Sequence, residues 1–348
     1  MAAKILYVDD EKDLELLITQ NFRREIRDNT YEFLFAQNGE EAIAILENDN
    51  NVTIVLSDIN MPVMDGLTLL ARINELKKPS LKTVIISAYG DMENIRTAMN
   101  RGAFDFLTKP INFDDLQITI DKTISEALFL RRSIEDREKL MLLESDLNVA
   151  RNIQMSIIPK EFPISGHFEI YASMNPARQV GGDFYDFFMV SDKKLAIVIA
   201  DVCDKGVSAA LFMAVSRTIL KAIGIKGNSA GECLTEANDL LCNESKGSCM
   251  FVTVFYGILD LETGAFDYSN AGHNPPLLLK SNGKVIETET TENTVLGYLE
   301  GHKYNVRSIL LEKGDFLYTY TDGVTETMNP KRELYGQERL EILLSGMA

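Results

Sequence analysis

Short apolar runs alternate with helically spaced ones through the first third of the chain. ILYV (5–8), YEFLFA (31–36), VTIVLSD (52–58), KTVIISA (82–88) and FDFLT (104–108) read as strands. Residues 14–26, 40–47, 67–76 and 92–101 carry the helical spacing, and a closing helix starts at Asp114. Five βα units in a row imply right-handed crossovers, and hence a doubly wound α/β fold with a five-stranded parallel sheet covered on both faces. Ligands of such sheets bind at the carboxyl ends of the strands.

From Asp114 to Ile157 there is neither Gly nor Pro, and charged helix formers dominate. A single helix there spans roughly 65 Å at 1.5 Å per residue. Apolar or small residues recur at a 3,4 spacing at Leu116, Ile120, Thr123, Ala127, Leu130 and Ile134, then in a shifted frame at Leu140, Leu143, Leu147 and Ala150. Two arrangements satisfy this pattern. One is a helical, coiled-coil linker over 113–158 that pairs in a parallel homodimer. The other is two helices packed on their own domains, with a break near residues 133–137.

After Pro159 the texture becomes strand-like: FEIYASM, FYDFFMV, LAIVIAD, FVTVFYGILD, FDYSNA, PLLLK, YNVRSILL and DFLYTYTD. Helical patterns interrupt at 209–223 and 230–241. Strands with added helices predict an α+β sandwich. The chain thus divides into a domain over 1–122, the linker, and a domain over 159–348.

Composition narrows the function. The chain has 348 residues, 45% of them hydrophobic, which is enough for more than one core. Its formal net charge of −17 opposes binding to nucleic acid or to anionic membrane. Cys203, Cys233, Cys242 and Cys249 form no CxxC pair, and MAAKILYVDD lacks a leader's apolar core, so a reducing, cytoplasmic setting is expected. No apolar run reaches the roughly 18 residues of a membrane span.

Polar residues end the predicted strands. Asp9 and Asp10 close the first, Asp58 the third, Ser87 the fourth and Lys109 the fifth. Three converging carboxylates need a cation, and an all-oxygen set suits Mg²⁺. Lys109 is then placed to pair with an added phosphoryl group. Asp58 precedes the loop INMPVMDG, which leaves its carboxylate open to in-line attack and acyl phosphate formation. YVDDE, SDINMPVMDG, SAYGD and FLTKP resemble the signature of response-regulator receiver domains. The resemblance implies that Asp58 is the phospho-acceptor, that Asp10 binds Mg²⁺ directly and Asp9 through water, and that Asn60 offers its carbonyl. It makes Ser87 and Phe106 the hydroxyl and aromatic switch residues, and Lys109–Pro110 a cis peptide. A sensor histidine kinase or phosphotransfer protein is the implied donor.

Beyond the linker, Asp183, Asp186, Asp201, Asp204 and Asp322 again fall at strand ends, beside Gly181, Gly182, Gly206 and Gly323. With only three histidines in the chain, hard cations are favoured over zinc. Two such ions can activate water against a phosphate ester without a protein nucleophile. ARNIQMSIIP, PARQVGGDFYDFF, IADVCDKGVSAALFMAVSR, MFVTVFYGILD, SNAGHNPPLLL and LYTYTDGVTETMNPKRELYGQERL resemble the sporulation and stress-response branch of the PPM phosphatases. By that resemblance Asp201 bridges two Mn²⁺ or Mg²⁺ ions, Val202 gives a carbonyl, Asp322 binds the second ion, Asp183 acts through water, and Arg178 meets the substrate phosphate. His273 is given no chemistry. Members of the branch continue past YGQERL to a further Asp pair, so this domain is expected to be C-terminally incomplete and the 348-residue chain to turn over little.

Together these imply a two-component response regulator whose output dephosphorylates phosphoserine or phosphothreonine on a partner protein, such as an anti-sigma-factor antagonist. The competing expectation keeps both folds but makes the second domain a phosphorylation-controlled, non-catalytic adaptor. A transcription factor is the weakest reading, since no helix-turn-helix or basic face is visible.

Overall fold

The computed structural model describes residues 2–88, 90–162, 166, 168–244 and 249–346. It divides into two compact units, Met1–Leu142 and Leu143–Ala348. The first unit runs β1 (Ala3–Val8), α1 (Asp13–Asn21), α2 (Arg23–Arg27), β2 (Tyr31–Ala36), α3 (Gly39–Asn48), β3 (Val52–Asp58), α4 (Gly66–Glu75), β4 (Lys82–Ala88), α5 (Met92–Asn100) and β5 (Asp105–Lys109). All five strands are parallel, in the order β2-β1-β3-β4-β5.

Both faces of this sheet are covered, which is why its strands are apolar runs rather than alternating ones. Ile5, Tyr7, Ile54, Leu56, Val84 and Ile86 share a core with Ile18, Phe22, Leu116 and Ile120. Leu6, Val8 and Val55 face Ala42, Leu46, Leu69 and Ile73 on the other side. The helix expected over 14–26 is in fact two, because Phe22 leaves the helical region (φ −96°, ψ 20°) and its ring is buried against Tyr31 and Phe33.

Helix α6 (Phe113–Ile157) runs unbroken for 45 residues, without the break near 133–137 that the two-helix alternative required. The first part of its apolar stripe, Leu116, Ile120 and Ala127, is buried, whereas Phe129, Leu140, Leu142, Leu143, Val149 and Ile153 are exposed.

The second unit continues with β6 (Phe184–Ser191), β7 (Lys194–Val202), α7 (Val207–Gly224), α8 (Ala230–Glu244), β8 (Val252–Asp260), β9 (Ala265–Ala271), β10 (Leu277–Leu279), β11 (Val285–Glu287), β12 (Arg307–Leu310), β13 (Phe316–Tyr318), α9 (Asp322–Thr325) and α10 (Gln337–Ser345). Antiparallel strands β12-β9-β8-β7-β6 make the larger sheet and β11-β10-β13 the smaller. One face of the larger sheet, with Val198, Ala200 and Val254, packs on Phe212, Met213, Leu220 and Leu234 of α7 and α8. Its other face, with Ile197, Ile199, Phe255 and Tyr268, meets Leu317 of the smaller sheet, as the expected sandwich requires.

Three expectations for this unit need correction. FEIYASM alternates like a strand, but among the described residues it contributes only an isolated bridge at Glu169, and Tyr171 is exposed: periodicity does not by itself supply the ladder that a strand's backbone needs. Helices α9 and α10 were not foreseen, although Leu340 and Leu344 of α10 pack on Leu277 and Tyr320. Helix α7 is long and apolar enough to span a membrane by length and composition, contrary to the sequence reading; its face with Phe212, Met213 and Leu220 is core.

Asp186 lies deep between β6 and α7. Its carboxylate sits 2.8 Å from Arg217 Nη2 and 3.7 Å from Lys221 Nζ, and burial raises its pKa despite both cations. Removing the main partner of a buried charge costs ~3 kcal/mol or more. Accordingly, Arg217→Met is expected to lower the urea midpoint of the C-terminal unit sharply. Arg217→Met together with Asp186→Leu should restore much of the loss, because no charge is then stranded.

Candidate functional site

The register of the parallel sheet places Asp58 opposite Ile86, Ser87 opposite Thr108 and Ala88 opposite Lys109, so the polar residues gather at one edge. Ligand oxygens of Asp9, Asp10 and Asp58 all lie within 4.8 Å of one another. Asp58 Oδ1 accepts the backbone N–H of Ile59 (2.7 Å) and, more distantly, that of Asn60 (3.5 Å), while Oδ2 accepts from Lys109 Nζ at 2.8 Å. Lys109 also lies 3.0 Å from Asp9 Oδ2 and 3.2 Å from Glu11 Oε1. Burial raises the Asp9 pKa, opposed by the Glu11 N–H and by Lys109. On Lys109, burial acts downward but is outweighed by Asp58 and Asp9, so its pKa rises.

Gly66 completes the loop after Asp58. A Cβ there would stand 2.1 Å from the Asp58 carbonyl oxygen, so the DG of the motif lets α4 start against the acceptor's backbone. The Lys109–Pro110 peptide is cis, as expected. Ser87 is fully buried and its hydroxyl donates at 3.4 Å to Asp91 Oδ2, whereas Phe106 is partly exposed on β5. Tyr89 of the SAYGD motif lies outside the described residues.

In the second unit, Asp183 directly precedes β6, Asp201 lies near the end of β7, and Asp322 opens α9. Asp201 is half-buried; burial first, then a shared hydrogen bond and the charge of Asp183, then the charge of Asp322, push its pKa up to about 8. Asp322 is raised too, by burial and by the charges of Glu326 and Asp183. Carboxyls whose pKa values are raised by burial and by a neighbouring carboxylate favour a cation, and this oxygen-only set fits hard divalent ions. These oxygens are spread more widely than the receiver triad: among the described residues only Asp9, Asp10 and Asp58 meet the 4.8 Å spacing. A Cβ on Gly182 would come within 2.8 Å of the Val202 carbonyl oxygen, so that glycine lets the two loops close.

The other acidic residues serve elsewhere. Asp204, at φ +95°, accepts from the Lys205 N–H (2.8 Å) and the Ser208 hydroxyl (2.7 Å), tying the loop to α7, and Asp186 is held by Arg217. Arg178 is exposed, its Nη1 3.9 Å from the Cβ position of Gly206. Sequence reasoning missed three contributors. Thr321 Oγ1 donates to Asp183 Oδ2 at 2.7 Å across 138 positions. Buried Gln154, near the end of α6, clasps Gly181 with Nε2 to its carbonyl (2.6 Å) and Oε1 from its N–H (3.2 Å). Lys205 is the cation whose charge opposes the upward shifts of both Asp201 and Asp322. Gln154 stands in the quoted ARNIQ motif and Lys205 in DVCDKG, so both signals were present but unassigned.

A cluster of Asp9, Asp10 and Asp58 at the edge of a parallel sheet, in a chain that also carries an acidic cluster on an antiparallel sandwich, defines a two-domain signalling protein with a phosphatase-type output fold. Comparison with known proteins agrees. The response regulator receiver domain family matches residues 5–121, and the stage II sporulation protein E (SpoIIE) family matches residues 191–347. Sporulation initiation phosphotransferase F of Bacillus subtilis is 30% identical over 122 residues, which are 35% of this chain and 94% of that protein. Protein IcfG of Synechocystis sp. is 34% identical over 56% of this chain and 35% of its own length. Phosphoserine phosphatase RsbU of Bacillus subtilis is 30% identical over 53% of this chain and 54% of its own length. The chain thus spans about a third to a half of these last two relatives. The SiaA-PP2C domain of Pseudomonas aeruginosa (18% identity, TM-score 0.50, 60% of this chain and 84% of that one) shares the fold. The chain belongs to the response regulators, with a receiver domain joined to a SpoIIE-type PPM phosphatase domain.

The Asp201 shift sets a pH dependence. A carboxyl raised from 3.8 to about 8 keeps its proton in the folded chain where the unfolded chain has lost it. Folding without metal therefore takes up a proton between those values, and stability falls as pH rises through that window. Melting of the metal-free protein at pH 5 to 8 should show this fall, and Asp201→Asn should flatten it.

Proposed function

We propose that phosphorylation of Asp58 by a sensor histidine kinase or phosphotransfer protein controls a metal-dependent serine/threonine phosphatase acting on a phosphoprotein, of the kind exemplified by an anti-sigma-factor antagonist. Supporting this reading is one observation above others: both units gather carboxylates at strand ends where they raise one another's proton affinity or rely on a lysine. In the proposed division, 1–122 receives the signal, the helix over 113–158 transmits it, and the output domain begins near 159.

Asp9, Asp10 and Asp58, with the Asn60 carbonyl, would hold Mg²⁺. Asp58 attacks the donor phosphorus through a carboxylate oxygen, the donor leaves, and Lys109 exchanges its contact with Asp58 Oδ2 for one with a phosphoryl oxygen. Ser87 then turns from Asp91 toward the phosphoryl group, and Phe106 moves inward. In the output domain Asp183, Asp201, the Val202 carbonyl and Asp322 would hold Mn²⁺ or Mg²⁺, while Arg178 and Lys205 orient the substrate phosphate. Bound ions supply charge neutralisation at the acyl phosphate and, in the output domain, activation of water for in-line attack. The adaptor reading is not favoured, because Asp183, Asp201 and Asp322 are all present and the charge of Asp183 raises the pKa of both other carboxyls.

Incubation with Mg²⁺ and a labelled small-molecule phosphodonor should label the chain in an acid-labile manner, and Asp58→Asn should remove the label. Mn²⁺-dependent phosphate release from a phosphoserine protein is expected to be slow in this chain, and Asp201→Ala should abolish it. Undiminished labelling of the first variant, or undiminished release by the second, overturns the corresponding assignment.

The exposed apolar residues of α6 at Leu140, Leu143 and Val149 support pairing of two copies through this helix. Light scattering at micromolar concentration is expected to give a dimer, and Leu140→Glu with Leu143→Glu a monomer. A monomeric wild-type chain, with and without a phosphoryl mimic, would reduce the helix to a spacer.

A further inference from the structure

Thr253 of β8 stands opposite Asp201 of β7. Its hydroxyl donates to the Asp201 carbonyl oxygen at 3.3 Å and lies 2.8 Å from His273 Nδ1. A hydroxyl has one proton to give. With that proton directed to the carbonyl, the imidazole contact is one in which Nδ1–H donates to the threonine oxygen.

The turn that carries His273 is built to deliver the ring. His273 N–H donates to Asn270 Oδ1 (2.8 Å), and Asn270 Nδ2 returns a hydrogen bond to the His273 carbonyl (2.9 Å). Gly272 between them has φ +70°, and a Cβ there would stand 2.8 Å from Val295 Cγ1. The imidazole is buried; its Nε2 makes no hydrogen bond of normal geometry among the described residues, and the Tyr320 main chain lies near the ring. Burial lowers its pKa to about 4, so the ring is neutral at pH 7 and places no positive charge behind the acidic cluster.

We propose that His273 is a positioning residue of the phosphatase site: as the Nδ1–H tautomer it orients the Thr253 hydroxyl, which in turn fixes the main chain presenting Asp201 and Val202 to a divalent ion. This rests on the ligand role proposed above for Asp201. Outer-shell hydrogen bonds of this kind typically change metal affinity by about 10- to 100-fold.

Asparagine can place an N–H where Nδ1–H stands, whereas the longer glutamine amide reaches the Nε2 position. Calorimetric titration of the full chain with Mn²⁺ should therefore give His273→Asn an affinity within ~3-fold of wild type. His273→Gln, His273→Ala and Thr253→Val should each lose about tenfold or more, with no further loss on combining His273→Ala with Thr253→Val. Melting of the metal-free variants separates this from general destabilisation, which would not distinguish Asn from Gln. Equal binding by the Asn and Gln variants, or wild-type affinity in Thr253→Val, would overturn the proposal. Unchanged Mn²⁺ binding in Asp201→Ala would instead overturn the ligand reading beneath it. ¹⁵N NMR of the wild-type ring gives a test independent of metal: the proton is expected on Nδ1, and a proton on Nε2 contradicts the assignment.

Discussion

Carboxylates held side by side repel, and this protein holds them so twice. In the parallel sheet of the first unit, strands that are apolar along their length carry charge at their ends, so the acidic residues of different strands meet; in the second unit Asp183 and Asp201 meet where β6 begins and β7 ends. Asp9 and Asp58 escape mutual repulsion by sharing Lys109. Against Asp201 and Asp322 stands the charge of Lys205, and it is outweighed: burial, then Asp183 and Asp322, push the pKa of Asp201 up to about 8. The two clusters therefore differ in kind. One is balanced by a lysine, which in the proposed mechanism transfers its contact to an incoming phosphoryl group; the other keeps an excess of negative charge, which the proposed divalent ions would offset.

Glycines set how closely the backbone can approach these clusters. Gly66 against the Asp58 carbonyl and Gly182 against the Val202 carbonyl are positions at which any side chain would collide with the group that the site presents. Hydrogen bonds then fix the acidic residues from behind. Thr321 holds Asp183, and Gln154 holds the loop that carries Asp183 to the end of the long helix. Through Gln154, a displacement at the end of α6 has a direct mechanical route to the outer edge of the output site.

The receiver fold was legible because its strands are largely apolar runs and four of the five carry a polar candidate residue at the carboxyl end. Its one local error, at Phe22, arose because a buried aromatic and a helix break look alike in a period of 3.6. The second domain was less legible. FEIYASM has the right alternation but no partner strand, and nothing local reveals that. Strand-end position alone did not separate Asp183, Asp201 and Asp322 from Asp186 and Asp204, whose partners Arg217 and Ser208 come from α7; only the family resemblance singled out the first three. The ties that orient the site, Thr321 to Asp183 and Gln154 to Gly181, link residues 138 and 27 positions apart. Spacing rules, which work within one helix or strand, do not reach that far.

The central claim is that the state of Asp58 governs the chemistry at Asp201. Steady-state phosphate release from a phosphoserine protein, measured on one preparation of the full chain in saturating Mn²⁺ and Mg²⁺, tests it when the receiver is switched with beryllofluoride. The account predicts a change in turnover on switching that is absent in Asp58→Asn. Equal turnover in both receiver states of the wild-type chain would contradict it.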